Sequence, residues 1–338
     1  MVALPVLSKA EDRGMWLWKA DSAIQNLGTA RNTLFTFCAA PHGTTSISPF
    51  TGAAKPVTVL YLYCHAYING NATQQSQLRS FLSDAHLHGL KVHYLDGASD
   101  WATTGKAYAE SYLNYALSFN SHSTNVAERF DGIQYDVEPY LLTGWFSQSI
   151  WDSFTGLLTD CENAVKASQQ GIPFGVCIPR WYDVTPGTSY LSQVQQITDY
   201  VAVMDYVNTV TSLVSDAQTE ISNATQLGKK VVLGVETMNI TPSTSTFYAS
   251  GYGNLEIALD SLALAYSASS GFAGNAIHYY DYYAPMTEWG TVGAPAVLPG
   301  ATTTTLASTT TVTTSGTTPT TTTTTTGGTT TLRKKRRG

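Results

Sequence analysis

Charge is the first thing in short supply: Asp, Glu, Lys and Arg make up only 12% of the 338 residues, about half the usual share for a soluble globular chain. Uncharged Thr, Ser, Asn and Gln supply the polarity instead. Long apolar runs are also missing. No stretch reaches the roughly 18 residues that a membrane-spanning helix needs, and Met1–Arg13 has no apolar segment of the kind that directs secretion. The four cysteines, Cys38, Cys64, Cys161 and Cys177, are too few and too scattered for a disulfide framework or a zinc motif. Four buried thiols and two bridges both remain open. Acidic residues stop at Glu288, while Arg333, Lys334, Lys335, Arg336 and Arg337 cluster at the end of the chain. Residues 1–332 therefore carry a net charge of −11 out of a whole-chain −6. A body so acidic is a poor partner for a phosphate backbone, so nucleic-acid binding is disfavoured.

What the chain does have falls into two parts. Residues 302–331 hold 21 threonines in 30 positions. Such a segment cannot bury enough apolar surface to offset its ordering entropy, so a disordered tail is expected over 291–338. Thr-rich tracts of this kind suit a glycosylated stalk or linker on a secreted or cell-surface protein. Before it, beyond a short extension at 1–12, the region 13–290 repeats one unit. Apolar, β-branched and aromatic runs recur eight times: Met15–Lys19, Val57–His65, Lys91–Asp96, Phe130–Glu138, Pro173–Trp181, Tyr200–Val207, Lys230–Thr237 and Phe272–Tyr280. Their starts lie 27 to 43 residues apart, the length of a strand plus a crossover helix. Between them, Gln74–His88, Gly105–Asn120, Gln148–Gln169, Ser212–Leu227 and Leu255–Ser267 show helical spacing. Gly89, Gly171 and Gly228 punctuate helix exits. The α/β pattern predicts a single (β/α)8 TIM barrel, with an open doubly wound sheet as the competitor. The competitor usually opens on a Gly-rich first loop, and none follows Met15–Lys19.

In such barrels the active site lies at the C-terminal ends of the strands. The fourth run reads Asp131-Gly-Ile-Gln134-Tyr-Asp136-Val-Glu138-Pro-Tyr140. Side chains alternate along a strand, so Gln134, Asp136 and Glu138 share one face, opposite Ile133, Tyr135 and Val137. The apolar set suits the helix layer, which turns the polar set into the barrel with Glu138 at its mouth. A like-charged neighbour and partial burial would raise one carboxyl toward the range of a general acid.

This strand resembles the Asp-x-x-Asp-x-Asp-x-Glu signature of family 18 glycoside hydrolases, the chitinase-like barrels, with Gln134 in place of the second Asp. The resemblance implies that Glu138 protonates the glycosidic oxygen and that Asp136 orients the N-acetyl group of the substrate. Val203-Met204-Asp205-Tyr206 is similar to the Met-x-Tyr-Asp of that family, with Met204 and Tyr206 in register and Asp205 one place early. The Trp that ends strand 8 in the family is absent from Ile277-His278-Tyr279-Tyr280-Asp281. A second resemblance joins Glu138 to Glu236, at the end of Val232–Thr237. It is to the retaining barrel glycosidases, in which a strand 4 Glu is acid/base and a strand 7 Glu is the nucleophile.

Glu138, Asp136 and Glu236 are thus the candidate catalytic residues. Gln134, Tyr206, Asp205, His278, Trp181 and Tyr140 are the candidate sugar contacts, Trp181 as a stacking platform. No cofactor or metal is implied, and a monomer acting on a polysaccharide or glycan is expected. Two other classes stay open: a carbohydrate-binding barrel without catalysis, and a metal-dependent phosphodiesterase using His65, His93 and His278, all expected on strands. Asn71, Asn223 and Asn239 begin N-glycosylation sequences, the first two at positions expected to be exposed.

Overall fold

β-Branched and aromatic residues fit a pleated, half-buried surface, and the eight runs rich in them become eight strands in the computed structural model, which describes residues 12–47 and 52–294. They are β1 (Asp12–Leu17), β2 (Val59–Tyr63), β3 (Lys91–Asp96), β4 (Gly132–Tyr135), β5 (Phe174–Pro179), β6 (Tyr200–Met204), β7 (Lys230–Glu236) and β8 (Phe272–His278). All pair in parallel and in chain order, and β8 closes on β1 through Asp12↔Gly274 to Met15↔Ile277. The expected barrel forms. Several strands are shorter than the apolar runs that announced them. Beyond Tyr135 only the Asp136 N–H still reaches across, to the Asp96 carbonyl at 2.9 Å. Pro139, which has no N–H to give a ladder, then starts a 3₁₀ turn over Pro139–Leu141.

Helices fill the stretches marked by helical spacing, among them Ala72–Leu87, Lys106–Ser121, Gln148–Ala167, Gln218–Leu227 and Gly251–Tyr266. The first shows why. Asn71 accepts from the Gln74 N–H at 3.1 Å while Gln74 reaches back to the Asn71 N–H at 3.0 Å, a closed capping box. Leu78, Phe81, Leu82 and Ala85 then fall on the buried face, each large side chain contributing about 1.5–3 kcal/mol by leaving water. The stretch Ser212–Leu227 is two helices, Val210–Asp216 and Gln218–Leu227, the second ended by Gly228 in the left-handed region at φ +67°.

Apolar packing divides into an outer layer between strands and helices, holding Ile133, Tyr135 and Val137, and a filling inside the barrel. Inside, aromatic rings lie over glycines. A methyl group at Gly132 would sit 2.6 Å from the His93 ring, one at Gly14 2.7 Å from Tyr61, and one at Gly234 2.8 Å from Trp16; Gly175 faces Tyr200 in the same way. Near the start of β1, the buried Arg13 guanidinium holds Glu256 at 2.8 and 3.0 Å, and the Tyr283 hydroxyl donates to the same carboxylate at 2.9 Å.

All four cysteines are free and buried. Asn71 and Asn239 are exposed, but Asn223 is not: it is half-buried, and its amide is engaged by Gln195 and Ser192. No helix among the described residues is long and apolar enough to cross a membrane. The Thr-rich tail, the basic end and nearly all of the N-terminal extension lie outside the described residues.

Candidate active site

The alternation along β4 carries its three polar side chains inward at increasing height. Gln134 is the deepest, with no solvent exposure. Its Oε1 accepts from the Trp16 indole N–H at 2.7 Å, and its Nε2 faces the Tyr200 hydroxyl at 3.4 Å. An amide can accept and donate at once, which a carboxylate at this position could not. Gln134 is therefore a tie inside the barrel rather than a sugar contact.

Asp136 comes next, beside the Cys177 thiol, with its Oδ1 buried and without a partner among the described residues. Burial, and then the Glu138 charge, push its carboxyl up to about 7, against the pull of His278 and the thiol. Glu138 stands at the mouth, half-buried, and its Oε1 accepts a hydrogen bond from the Tyr140 hydroxyl. Tyr182, fully buried with an unpartnered hydroxyl, is raised by burial and by the Glu138 charge. The Tyr206 phenol is held well above its ordinary value by burial and by Glu236, Asp136 and Glu138. The Tyr206 ring lies 5.8 Å from the His278 ring between centroids, beside the imidazole that holds Glu236.

Glu236, at the end of β7, is only 2% exposed. Its Oε1 accepts from the Thr237 and Met238 backbone N–H groups at 2.8 and 2.7 Å, and its Oε2 meets His278 Nδ1 at 2.9 Å. The proton on that contact is fixed by the other side of the ring. The Trp18 indole N–H, a donor only, reaches His278 Nε2 at 3.0 Å, so Nε2 accepts and Nδ1 donates to Glu236. Trp18, His278 and Glu236 form one line from β1 across β8 to β7.

Trp181 lies just past β5, partly buried, in contact with Tyr140 at 5.2 Å and Trp145 at 5.4 Å between ring centroids. With the exposed Phe146 stacked on Trp145 at 4.0 Å, these rings make an aromatic flank beside Glu138. Asp205 is not part of the site. It lies one residue past the end of β6 and faces outward, where burial and Asp216 raise it to about 8 while Arg180 opposes. Asp131, the first residue of the signature, sits at the other end of the barrel. Burial would raise it, but hydrogen bonds from His86 and the Val92 N–H outweigh that and lower it.

The three histidines are not brought together. His65 starts a helix rather than lying on a strand, and its Nδ1 bonds to Asp96 Oδ2 at 2.7 Å. His93 lies deep in the barrel against Tyr200, while His65 and His278 stand at the C-terminal strand ends on different carboxylates, Asp96 and Glu236. Among the described residues no three His, Cys, Asp or Glu side chains converge as metal ligands would.

Cys177, beside Asp136, is the residue near the candidate site with no signal in the sequence reading, whereas Trp18 and the Trp181–Tyr182 pair stand among its aromatic strand-end positions. Period-two alternation along β5 could have found Cys177.

No protein-family model matches the chain, and no curated protein is similar to it in sequence. Solved structures are similar in fold. A GH18 chitinase from Pseudoalteromonas aurantia matches with a TM-score of 0.52 at 12% identity, over 80% of this chain and 94% of that one. An exo-β-1,4-mannosidase from Opitutaceae bacterium strain TAV5 matches with a TM-score of 0.53 at 11% identity, over 81% of this chain and 52% of the other. The chain shares with both the closed eight-stranded parallel barrel. At these identities the likeness is one of fold, and the chemistry of this barrel has to be argued from the side chains at its mouth.

Proposed function

We propose that this barrel is a glycoside hydrolase acting on an external glycan that carries 2-acetamido sugars, with Glu138 as the proton donor and Asp136 as its partner in substrate-assisted cleavage. The observation that carries the choice of mechanism is the occupation of Glu236. A nucleophile must present an accessible lone pair to the anomeric carbon, but Glu236 is 2% exposed, two backbone N–H groups occupy its Oε1, and His278 holds its Oε2, leaving one lone pair in all. Glu236 then acts by positioning His278. Glu138 is half-buried, open to the mouth and braced by Tyr140.

In this reading Glu138 gives its proton to the leaving glycosidic oxygen as the acetamido carbonyl oxygen of the substrate bonds to the anomeric carbon. Asp136 accepts from the acetamido N–H and offsets the developing positive charge. Water then enters from the side the leaving group vacated, loses its proton to Glu138 and restores the sugar with retained configuration. Burial and the Glu138 charge raise Asp136 to about 7, so the Asp136 carboxyl exchanges a proton in the neutral range directly beside the proposed donor. The aromatic flank of Trp145 and Trp181 offers apolar faces to sugar rings.

The test is turnover of N-acetylglucosamine oligomers by Glu138→Gln. Loss of roughly 10²–10⁴-fold in kcat with binding kept is expected. Near-native turnover by the variant would overturn the assignment of Glu138, and equal turnover of deacetylated oligomers by the native protein would overturn the substrate-assisted route.

A further inference from the structure

The described residues leave the end of the barrel opposite Glu138 unfilled. Near the starts of the strands lies a cavity of about 410 Å³, walled by Val59, Tyr61, His93, Tyr200 and Val232. An engineered apolar cavity of about 150 Å³ is enough to take up benzene, and ligand pockets begin at about 300 Å³.

The His93 imidazole in its wall has a defined state. The Trp16 N–H fixes the Gln134 amide, because it can bond only to Oε1. Gln134 Nε2 then donates toward the Tyr200 oxygen. That leaves the Tyr200 hydroxyl hydrogen for His93 Nδ1, at 2.9 Å. The imidazole proton is thereby placed on Nε2, and burial, which lowers His93 to about 4, keeps the ring neutral. Nε2–H has no hydrogen-bond partner among the described residues, and His93 keeps 8% of its surface exposed. The His93 N–H is thus a free donor beside the Tyr61 and Tyr200 rings and the Val59 and Val232 side chains.

Charges at the rim are already engaged. Lys91 pairs with Asp12 at 3.2 Å, Asp131 with His86 at 2.8 Å, Asp199 accepts from the Phe174 N–H at 3.0 Å, and Lys230 reaches the Ser270 carbonyl. Asp199 and Lys230 bond to neutral backbone groups and keep their charges, and with three carboxylates against two ammonium groups the rim disfavours an anionic guest.

We propose that this cavity is a second binding site, for a small neutral aromatic molecule bearing one carbonyl or hydroxyl oxygen, held by His93 Nε2–H and the Tyr61 and Tyr200 rings. It is separate from the glycan site and does not depend on the function proposed for it.

Acetophenone is a suitable probe, titrated into the full chain by calorimetry and followed by ¹⁵N-edited NMR of the His93 ring. We expect a Kd on the order of 1 mM or tighter and a shift of the His93 Nε2–H signal. Benzoate, which is charged, should bind at least tenfold more weakly. Val232→Trp, which fills the cavity while sparing His93, should abolish binding and leave turnover at the opposite face unchanged. Absence of an NMR shift in the native protein at saturating probe would overturn the proposal without recourse to any variant. Equal binding of acetophenone and benzoate, or unaltered binding by a folded Val232→Trp, would do the same.

Discussion

Asp205→Asn should stabilise the protein, and by an amount that grows with pH. Asp205 has no solvent exposure, and neither carboxyl oxygen has a hydrogen-bond partner among the described residues. Its folded-state proton affinity rises from 3.8 to about 8. In the unfolded chain the same carboxyl ionises near its ordinary value, so the folded state binds one more proton throughout the interval. Stability is then greatest below about pH 4, falls as pH rises toward 8, and is flat above. The fall is at most about 1.4 kcal/mol per pH unit, an upper bound of about 4 kcal/mol by pH 7. Asparagine keeps the shape and does not titrate. Thermal unfolding of both proteins at pH 5, 6, 7 and 8 separates this residue from others that titrate. His42 and His93 are lowered to about 4 and cost stability as pH falls below 6.5, but they do so in both proteins. The advantage of Asp205→Asn should widen steadily from pH 5 to pH 8, at about 2–4 °C in Tm per kcal/mol. A pH-independent difference would refute the reasoning, because it would mean that Asp205 does not exchange a proton in that range. Glu220, also fully buried and raised to about 8, contributes in the same direction.

Two further outcomes follow from the site and the chain. Asp136→Asn should cost far more turnover on acetamido substrates than Glu236→Gln, and azide should not rescue Glu236→Ala; azide rescue measured with a chromogenic glycoside would restore the nucleophile role to Glu236. Truncation after about residue 300 should leave Tm and turnover unchanged, since a Thr-rich segment of that composition adds no core burial, and a clear drop in Tm on calorimetry would show the tail docking on the barrel.

The order of eight strands was legible because each apolar run recurs at the length of a strand–helix unit. The inward face of β4 was legible because alternation has only two answers. Asp205 shows where a motif can mislead: Met204 and Tyr206 already claimed the inner face, so the residue between them had to point outward whatever its chemistry. The state of Glu236 depends on two backbone N–H groups after β7 and on a tryptophan some 220 residues away in sequence that fixes the His278 ring. No local pattern carries such information. His65 missed its expected strand because the chain leaves β2 at Tyr63 and turns into a short helix.

The rings seated over glycines have a consequence for how this sequence can drift. At Gly132 and His93, or Gly234 and Trp16, the partner leaves no room for a single added carbon. Either member can change only with its mate: a methyl at 132 requires a smaller side chain at 93, and a smaller ring at 16 leaves a hole over 234. Such positions should co-vary as couples among descendants of this chain, and barrels that settled on other couples would share its shape while sharing few of its residues.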